Sequence, residues 1–337
     1  MIKIGQIGIG HNHSYVIRTV KRFPEYFQLV GYAEENEEWI TRRGNNADFI
    51  DVPRLSVDEI LEKSDAILVE TDVWDLTKTA QMCIDAGKHI HMDKPASGTL
   101  EEYRHLLDTA KVKNLVVQLG YMYRYNPAVK KVFEMVKNGQ LGQIYSIDAQ
   151  MSVHHTDRYR QWLANFQGGD MYIFGSHLID LIVYLLGKPN RVLSSLCSSG
   201  RNGVISHDLT SAILEYDNAV ARVFSSSLEW DGCARRRFSI SGELGTAHIE
   251  PMEDPCTLFF TEPHQKVYVS MQGSKVPLVR QPGEDRYKEM LINFHDYILG
   301  KEENPFTYEH EYAVQEVLDA AVGGLKDLGR ELERRPV

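Results

Sequence analysis

A few short runs hold the residues best suited to chemistry. Gly5-Gln6-Ile7-Gly8-Ile9-Gly10-His11-Asn12-His13 follows an apolar run over 2–8 and opens a helical pattern. A glycine-rich turn between strand and helix lets the backbone bend sharply and approach a pyrophosphate held at the helix N-terminus. Gly8, Gly10, His11 and Asn12 are therefore candidate dinucleotide contacts, and a turn that binds nothing is the plain alternative. His13 stands where the third glycine of G-x-G-x-x-G would sit, so the helix must pack less closely on the strand or shift. His11 and His13 could ligate a metal, but two histidines in one turn with no third partner evident do not make a site, and no metal is expected.

Glu34 ends a second β-rich run over 28–33. A carboxylate there accepts hydrogen bonds from both ribose hydroxyls and repels a 2′-phosphate, which favours NAD over NADP; otherwise Glu34 merely serves as an anion at the start of the next helix. Lys94 lies in His91-Met92-Asp93-Lys94-Pro95, after a run over 88–92. At the carboxyl edge of a parallel sheet its ammonium can reach a substrate oxygen and tune a neighbouring base. His154-His155-Thr156-Asp157-Arg158-Tyr159 is a polar and aromatic segment suited to recognising hydroxyls, an ordinary surface or, least favoured, a metal site. Tyr121, Tyr123, Arg124, Trp162 and Trp230 are further candidates, although aromatic residues at such intervals are more often core.

These residues need a scaffold, and the chain provides the material for one. Its 337 residues exceed what one core usually organises, so two domains are expected, over 1–122 and 123–337. Runs over 2–8, 28–33, 65–70, 88–92 and 115–119 alternate with helical patterns, the signature of parallel βαβ units. Ser56 with Glu59 and Thr99 with Glu102 read as capping boxes, and Gly87 closes a helix. From about 143 the pattern becomes antiparallel: strands over 191–198, 208–216, 219–227, 236–241, 246–249, 258–261 and 266–271, with helices over 127–138, 157–165, 170–186 and 309–333. The fold class is α/β: a doubly wound parallel sheet followed by an α+β domain on an antiparallel sheet, and a ligand cleft between the two.

Composition excludes several other classes. Hydrophobic residues make up 43% and charged residues 25%, as in a soluble globular protein. Apolar stretches are too short to span a bilayer. A strand beginning at residue 2 leaves no room for a secretion signal, so a cytoplasmic location is expected. The net charge of −10 opposes binding to a phosphate lattice. The basic triplet Arg235-Arg236-Arg237 is a solvated strand end, an interface group or a phosphate or substrate contact. Cys83, Cys197, Cys233 and Cys256 lack metal-ligand spacing, so reduced and mostly buried thiols are expected.

Taken in order, the glycine turn, Asp93-Lys94-Pro95, Tyr123-Arg124-Tyr125-Asn126-Pro127, Gly168-Gly169 and Gly175-Ser176-His177-Leu178-Ile179-Asp180 resemble the glucose–fructose oxidoreductase/inositol dehydrogenase/MocA family over essentially the whole chain. The resemblance implies NAD(P)-dependent hydride transfer at a hydroxyl or keto carbon of a sugar, cyclitol or related polyol. Lys94 matches the lysine of the family's Glu-Lys-Pro motif, with Asp93 in place of the glutamate. His177 matches the catalytic histidine that accepts the hydroxyl proton, and Asp180 orients that imidazole or binds a substrate hydroxyl. Thr71 and Asp93 join Gly8, Gly10, His11, Asn12, Glu34 and Lys94 on the cofactor side. His155, Tyr159 and Tyr123 join the substrate side. The resemblance also implies an N-terminal Rossmann domain and a C-terminal α+β domain with a large, mostly antiparallel open sheet, and through that sheet a homodimer or homotetramer.

Two positions depart from the family pattern. Ile173 occupies the place, four residues before His177, where many members carry an aspartate, so Asp170 or Asp180 substitutes, or Lys94 and His177 act as a pair, or the chemistry differs. Leu76, beyond the Thr71 turn, stands where relatives often have a histidine. Two further readings stay open: NAD-assisted glycoside cleavage that returns the hydride, and a non-catalytic dinucleotide sensor, which Ile173 favours and the Lys94–His177–Asp180 set opposes.

Overall fold

The structure, a computed structural model, describes residues 1–253, 255–261, 274–277 and 285–323, with 274–277 described by backbone alone. The chain forms two compact units, Met1–Met122 with Glu284–Tyr312, and Tyr123–Gly283 with Ala313–Val337. The segment Glu284–Tyr312, assigned from the sequence to the second domain, thus belongs with the first.

In the first unit, strands β1 (Ile2–Ile7), β2 (Phe27–Ala33), β3 (Ala66–Val69), β4 (His89–Met92) and β5 (Val117–Leu119) form a parallel sheet in the order β2-β1-β3-β4-β5. Helices α1 (Ile17–Arg22), α2 (Glu37–Arg43), α3 (Val57–Lys63), α4 (Leu76–Asp85) and α5 (Leu100–Val112) provide the crossovers. Every residue of β3 is buried, as a strand covered on both faces requires. Both expected capping boxes form, at the starts of α3 and α5. Each satisfies orphan N–H groups and is worth about 1 kcal/mol. The glycine turn does not lead directly into a helix. A 3-10 turn over Ser14–Val16 intervenes and α1 begins only at Ile17.

The second unit contains β6 (Ile144–Ser152), β7 (Arg191–Cys197), β8 (Leu209–Glu215), β9 (Val220–Ser226), β10 (Arg237–Gly242), β11 (Gly245–Ile249), β12 (Thr257–Thr261) and β13 (Ser274–Pro277). They form an eight-stranded sheet in the order β13-β12-β11-β10-β6-β9-β8-β7. β6 pairs with β9 in parallel and the other neighbouring strands pair antiparallel, so the sheet is mostly antiparallel, as expected, with one parallel pair inside it. Helices α6 (Pro127–Lys137), α7 (Asp157–Leu163) and α8 (Ser176–Leu186) belong to this unit. The helix expected over 170–186 forms, with Met171–Gly175 a π-turn that runs directly into α8. Gly168 and Gly169 precede it at φ +79 and +50, and a Cβ on Gly169 would lie 2.5 Å from the His207 carbonyl oxygen. Only glycine tolerates that passage.

Two further helices are α9 (Lys288–Ile298), in the first unit, and α10 (Tyr308–Ala321). The strand expected over 266–271 and the end of the helix expected over 309–333 lie outside the described residues. The cysteines correct one expectation: Cys83 and Cys256 are buried, but Cys197 and Cys233 are exposed. Among the described residues, no helix is long and apolar enough to cross a membrane.

Candidate active site

The glycine turn is held from three sides of the first unit. Gly8 has φ +89, and a Cβ there would lie 2.5 Å from the Thr71 backbone nitrogen, so only glycine fits. Glu34 accepts from the Ile9 N–H at 2.8 Å and the Asn36 N–H at 2.9 Å, placing its carboxylate against the turn and outside α2. Arg43 donates to the carbonyls of Ile9 at 2.8 Å, Gly10 at 3.1 Å and His11, and to Asn12 Oδ1 at 3.2 Å. Its guanidinium also lies over Trp39, whose indole N–H donates to Asp72. The backbone N–H groups of Gly10 and Asn12 take no part in hydrogen bonds among the described residues. Donors left over in a strand-to-helix turn fit a pyrophosphate.

The ends of β1, β3 and β4 converge beside this turn. Asp93 Oδ2 lies 3.0 Å from His11 Nδ1 and 3.0 Å from His13 Nδ1, and Glu70 Oε2 lies 3.7 Å from His11 Nδ1. Burial, reinforced by the neighbouring Asp93 carboxylate, pushes the Glu70 carboxyl well above the usual range. Burial also pushes Asp93 upward, but the two imidazoles outweigh it and hold that carboxyl well below its ordinary value. Burial lowers His13, against the pull of Asp93. Asp93 Oδ1 accepts from the Lys94 N–H at 2.6 Å. The Lys94 side chain, only 3% exposed, leaves the carboxyl edge of the sheet next to these groups.

In the second unit, His177 is buried on α8 and its ring meets Tyr123 edge-on, with centroids 5.1 Å apart. Asp180, three residues along, accepts a two-pronged grip from Arg124: Nε at 3.0 and 3.1 Å and Nη2 at 2.6 Å. The Tyr123 hydroxyl donates to Glu253 Oε1 and receives a bond from Arg236 Nη1 at 3.0 Å. His155 stacks on Tyr159 at 4.0 Å and on Phe174 at 5.2 Å. Burial, helped by Arg236 and His154, lowers the His155 imidazole to about 4. His154 stacks instead on the exposed Trp230.

Asp170 is fully buried between the hydroxyls of Ser227 at 2.5 Å and Ser225 at 3.1 Å. Burial raises it to about 7, although both hydroxyls pull the other way. The Ser225 hydroxyl also donates to the Met151 carbonyl at 2.7 Å. Its single proton is thus shared between that carbonyl and the Asp170 carboxyl. Ile173 is buried in the π-turn.

The structure therefore gathers Gly8, Gly10, His11, Asn12, Glu34 and Thr71 at one turn, with Asp93 and Lys94 beside it. It joins Tyr123 to His177 and His155 to Tyr159. Asp180 is engaged by Arg124. Of the basic triplet, Arg236 binds Glu253, Arg235 binds Glu229 and Arg237 binds Asp148. Sequence reasoning missed Glu70, Trp39, Arg43 and Glu253. Trp39 and Arg43 stand four apart, one helical face, and Glu70 is a carboxylate directly after four apolar strand residues; both signals were present.

Fold and turn together define a Rossmann-type dinucleotide-binding protein with a second, mixed-sheet unit. Two family descriptions match: "Oxidoreductase family, NAD-binding Rossmann fold" over residues 2–121, and "Oxidoreductase family, C-terminal alpha/beta domain" over 133–323. The chain belongs to the glucose–fructose oxidoreductase/inositol dehydrogenase/MocA family. It is 27% identical over 194 residues to glucose-6-phosphate 3-dehydrogenase of Bacillus subtilis, covering 55% of this chain and 54% of that protein. It is 22% identical over 231 residues to the NADP-dependent scyllo-inositol 2-dehydrogenase of the same organism, covering 67% and 63%. The chain thus spans about half to three-fifths of the length of the curated relatives it matches. UDP-N-acetylglucosamine 3-dehydrogenase from Acidithiobacillus ferrooxidans shares the fold, with a TM-score of 0.78 at 19% identity and 96% and 97% coverage.

Proposed function

We propose that this chain is an NAD-dependent oxidoreductase acting on a hydroxyl or keto carbon of a sugar, cyclitol or related polyol. The observation that carries the reading is Lys94: a 3% exposed lysine at the carboxyl edge of a parallel sheet, beside a turn with unused N–H donors. A lysine is rarely so buried without a polar or functional reason. When bound, NAD accepts or returns the hydride. His177 takes the substrate hydroxyl proton and Lys94 steadies the developing alkoxide. Arg124, by gripping Asp180, fixes the α8 face that carries His177. The polar and aromatic group of His155, Tyr159 and Tyr123 suits hydroxyl recognition, and the named substrates of the relatives are of this class.

Glu34 supports NAD over NADP, because its carboxylate lies against the turn, where it would repel a 2′-phosphate. Arg43 already serves the carbonyls of the turn. The experiment is a sugar and cyclitol panel followed by nicotinamide absorbance with each cofactor. On the substrate so found, Lys94→Ala and His177→Ala should each lower kcat by about 10²–10⁴ with NAD affinity kept. Full activity in Lys94→Ala would overturn the role assigned to it. Release of a leaving group with no net NADH would instead indicate the glycoside-cleaving variant of the reaction.

The sheet of the second unit supports a homodimer or homotetramer, with Leu193 on β7, Leu209 on β8 and Val220 on β9 all exposed. Sedimentation equilibrium should find the oligomer; a monomer at all concentrations would refute it.

A further inference from the structure

The cluster at the ends of β1, β3 and β4 has more acceptors than its hydrogen bonds can use. His11 Nδ1 accepts from the His13 backbone N–H at 3.2 Å, so it presents a lone pair, yet the same atom lies 3.0 Å from an Asp93 carboxylate oxygen. If that nitrogen carries a proton, it cannot accept from His13; if it does not, two lone pairs face each other. Glu70 is 0% exposed, and neither of its carboxylate oxygens has a hydrogen-bond partner among the described residues. Unanswered carboxylate oxygens in so dry a place are costly.

We propose that His11, His13 and Asp93 bind a divalent transition-metal ion of the zinc type, with the buried Glu70 carboxylate beside it. One ligand atom from each of His11, His13 and Asp93 falls within 4.8 Å of the others, and Glu70 Oε2 lies outside this triad, 3.7 Å from His11 Nδ1. Tetrahedral bonds of about 2.1 Å set donors roughly 3.4 Å apart, close to the two 3.0 Å contacts of Asp93 with His11 and His13. A cation at the common centre turns facing lone pairs into ligands and answers the orphaned carboxylate. Two neutral imidazoles and two carboxylates carry two negative charges, which a dication neutralises. Mixed nitrogen and oxygen donors suit zinc and its first-row neighbours rather than calcium or magnesium. His13, 24% exposed, gives the ion its way in.

The ion ties the glycine turn to the end of β4 and so fixes the cradle of the dinucleotide. This inference does not rest on the oxidoreductase reading, because its test measures metal and not turnover. Tag-free protein is stripped with chelator and titrated with Co²⁺, whose tetrahedral complexes absorb strongly in the visible, and then with Zn²⁺ as competitor. One equivalent of Co²⁺ should bind with visible bands that Zn²⁺ abolishes, and Zn²⁺ should raise Tm. His13→Gln and Asp93→Asn should lose the bands, whereas His105→Gln, on the exposed face of α5, should keep them. Far-UV circular dichroism checks that the variants fold. Wild-type protein that binds no Co²⁺, or binding unchanged in folded His13→Gln, overturns the proposal and leaves a hydrogen-bonded network.

Discussion

The two units answer their buried carboxylates differently. In the second, Asp180 is gripped by Arg124 and Asp208 by Arg160, at 2.6 Å in each case. In the first, Asp93 and Glu70 face imidazoles. A guanidinium stays charged at any pH a protein survives, so a carboxylate paired with it is fixed and structural. An imidazole can lose its proton or bind a cation, so a carboxylate facing it remains available for chemistry. Partner type thus separates scaffold from site more sharply than burial, which both sets share.

The largest test of that contrast is Arg124→Met. Removing the cation breaks a buried ion pair, which typically costs about 3–5 kcal/mol. Denaturant unfolding should register a loss of that order. A loss below 1 kcal/mol would mean that the pair is not the scaffold element argued here.

Asp170 breaks the pattern within the second unit, since serine hydroxyls and not a guanidinium flank it. Its carboxyl is raised from 3.8 to about 7. The folded state therefore keeps a proton that the unfolded chain releases, and the stability this confers is full below about pH 4 and lost as pH rises through about 7. About three units at roughly 1.4 kcal/mol each sets a ceiling of about 4 kcal/mol. Unfolding free energies measured across that window should fall with pH in the wild type, and the fall should be smaller in Asp170→Asn. Parallel curves would show that Asp170 does not titrate there.

The same contrast explains what could be read in advance. The parallel sheet was legible because strands covered on both faces read as short apolar runs, and both capping boxes because Ser56–Glu59 and Thr99–Glu102 are local signals. Gly8, Glu34 and Lys94 were legible because a strand-to-helix turn leaves few alternatives for such residues. The π-turn at Met171–Gly175 was not, because one widened turn is too short to stand out in the apolar pattern of the helix it opens. Nor was the pairing of β6 with β9, which depends on contacts far apart in sequence. The third group facing His11 and His13 was hidden for the same reason: Asp93 reaches them only through the order of strands β1, β3 and β4.

His155 should give the smallest effect and sharpen the comparison most, because it is an imidazole in the unit where guanidiniums dominate. Its imidazole, lowered from 6.5 to about 4, stays neutral in the folded state while the unfolded chain takes up a proton. Stability is then full above about pH 6.5 and lost as pH falls towards 4, the opposite slope to that of Asp170 over nearly the same window. Its partial exposure to solvent screens the effect to about 1 kcal/mol. His155→Gln should remove that acid-side loss, so the variant's unfolding free energy should decline less between pH 6.5 and 4 than the wild type's. With Asp170→Asn the two slopes become separable: the single variants should tilt the profile in opposite directions and the double variant should flatten it. If both singles tilt it the same way, the stack of His155 on Tyr159 and Phe174 does not hold the imidazole neutral.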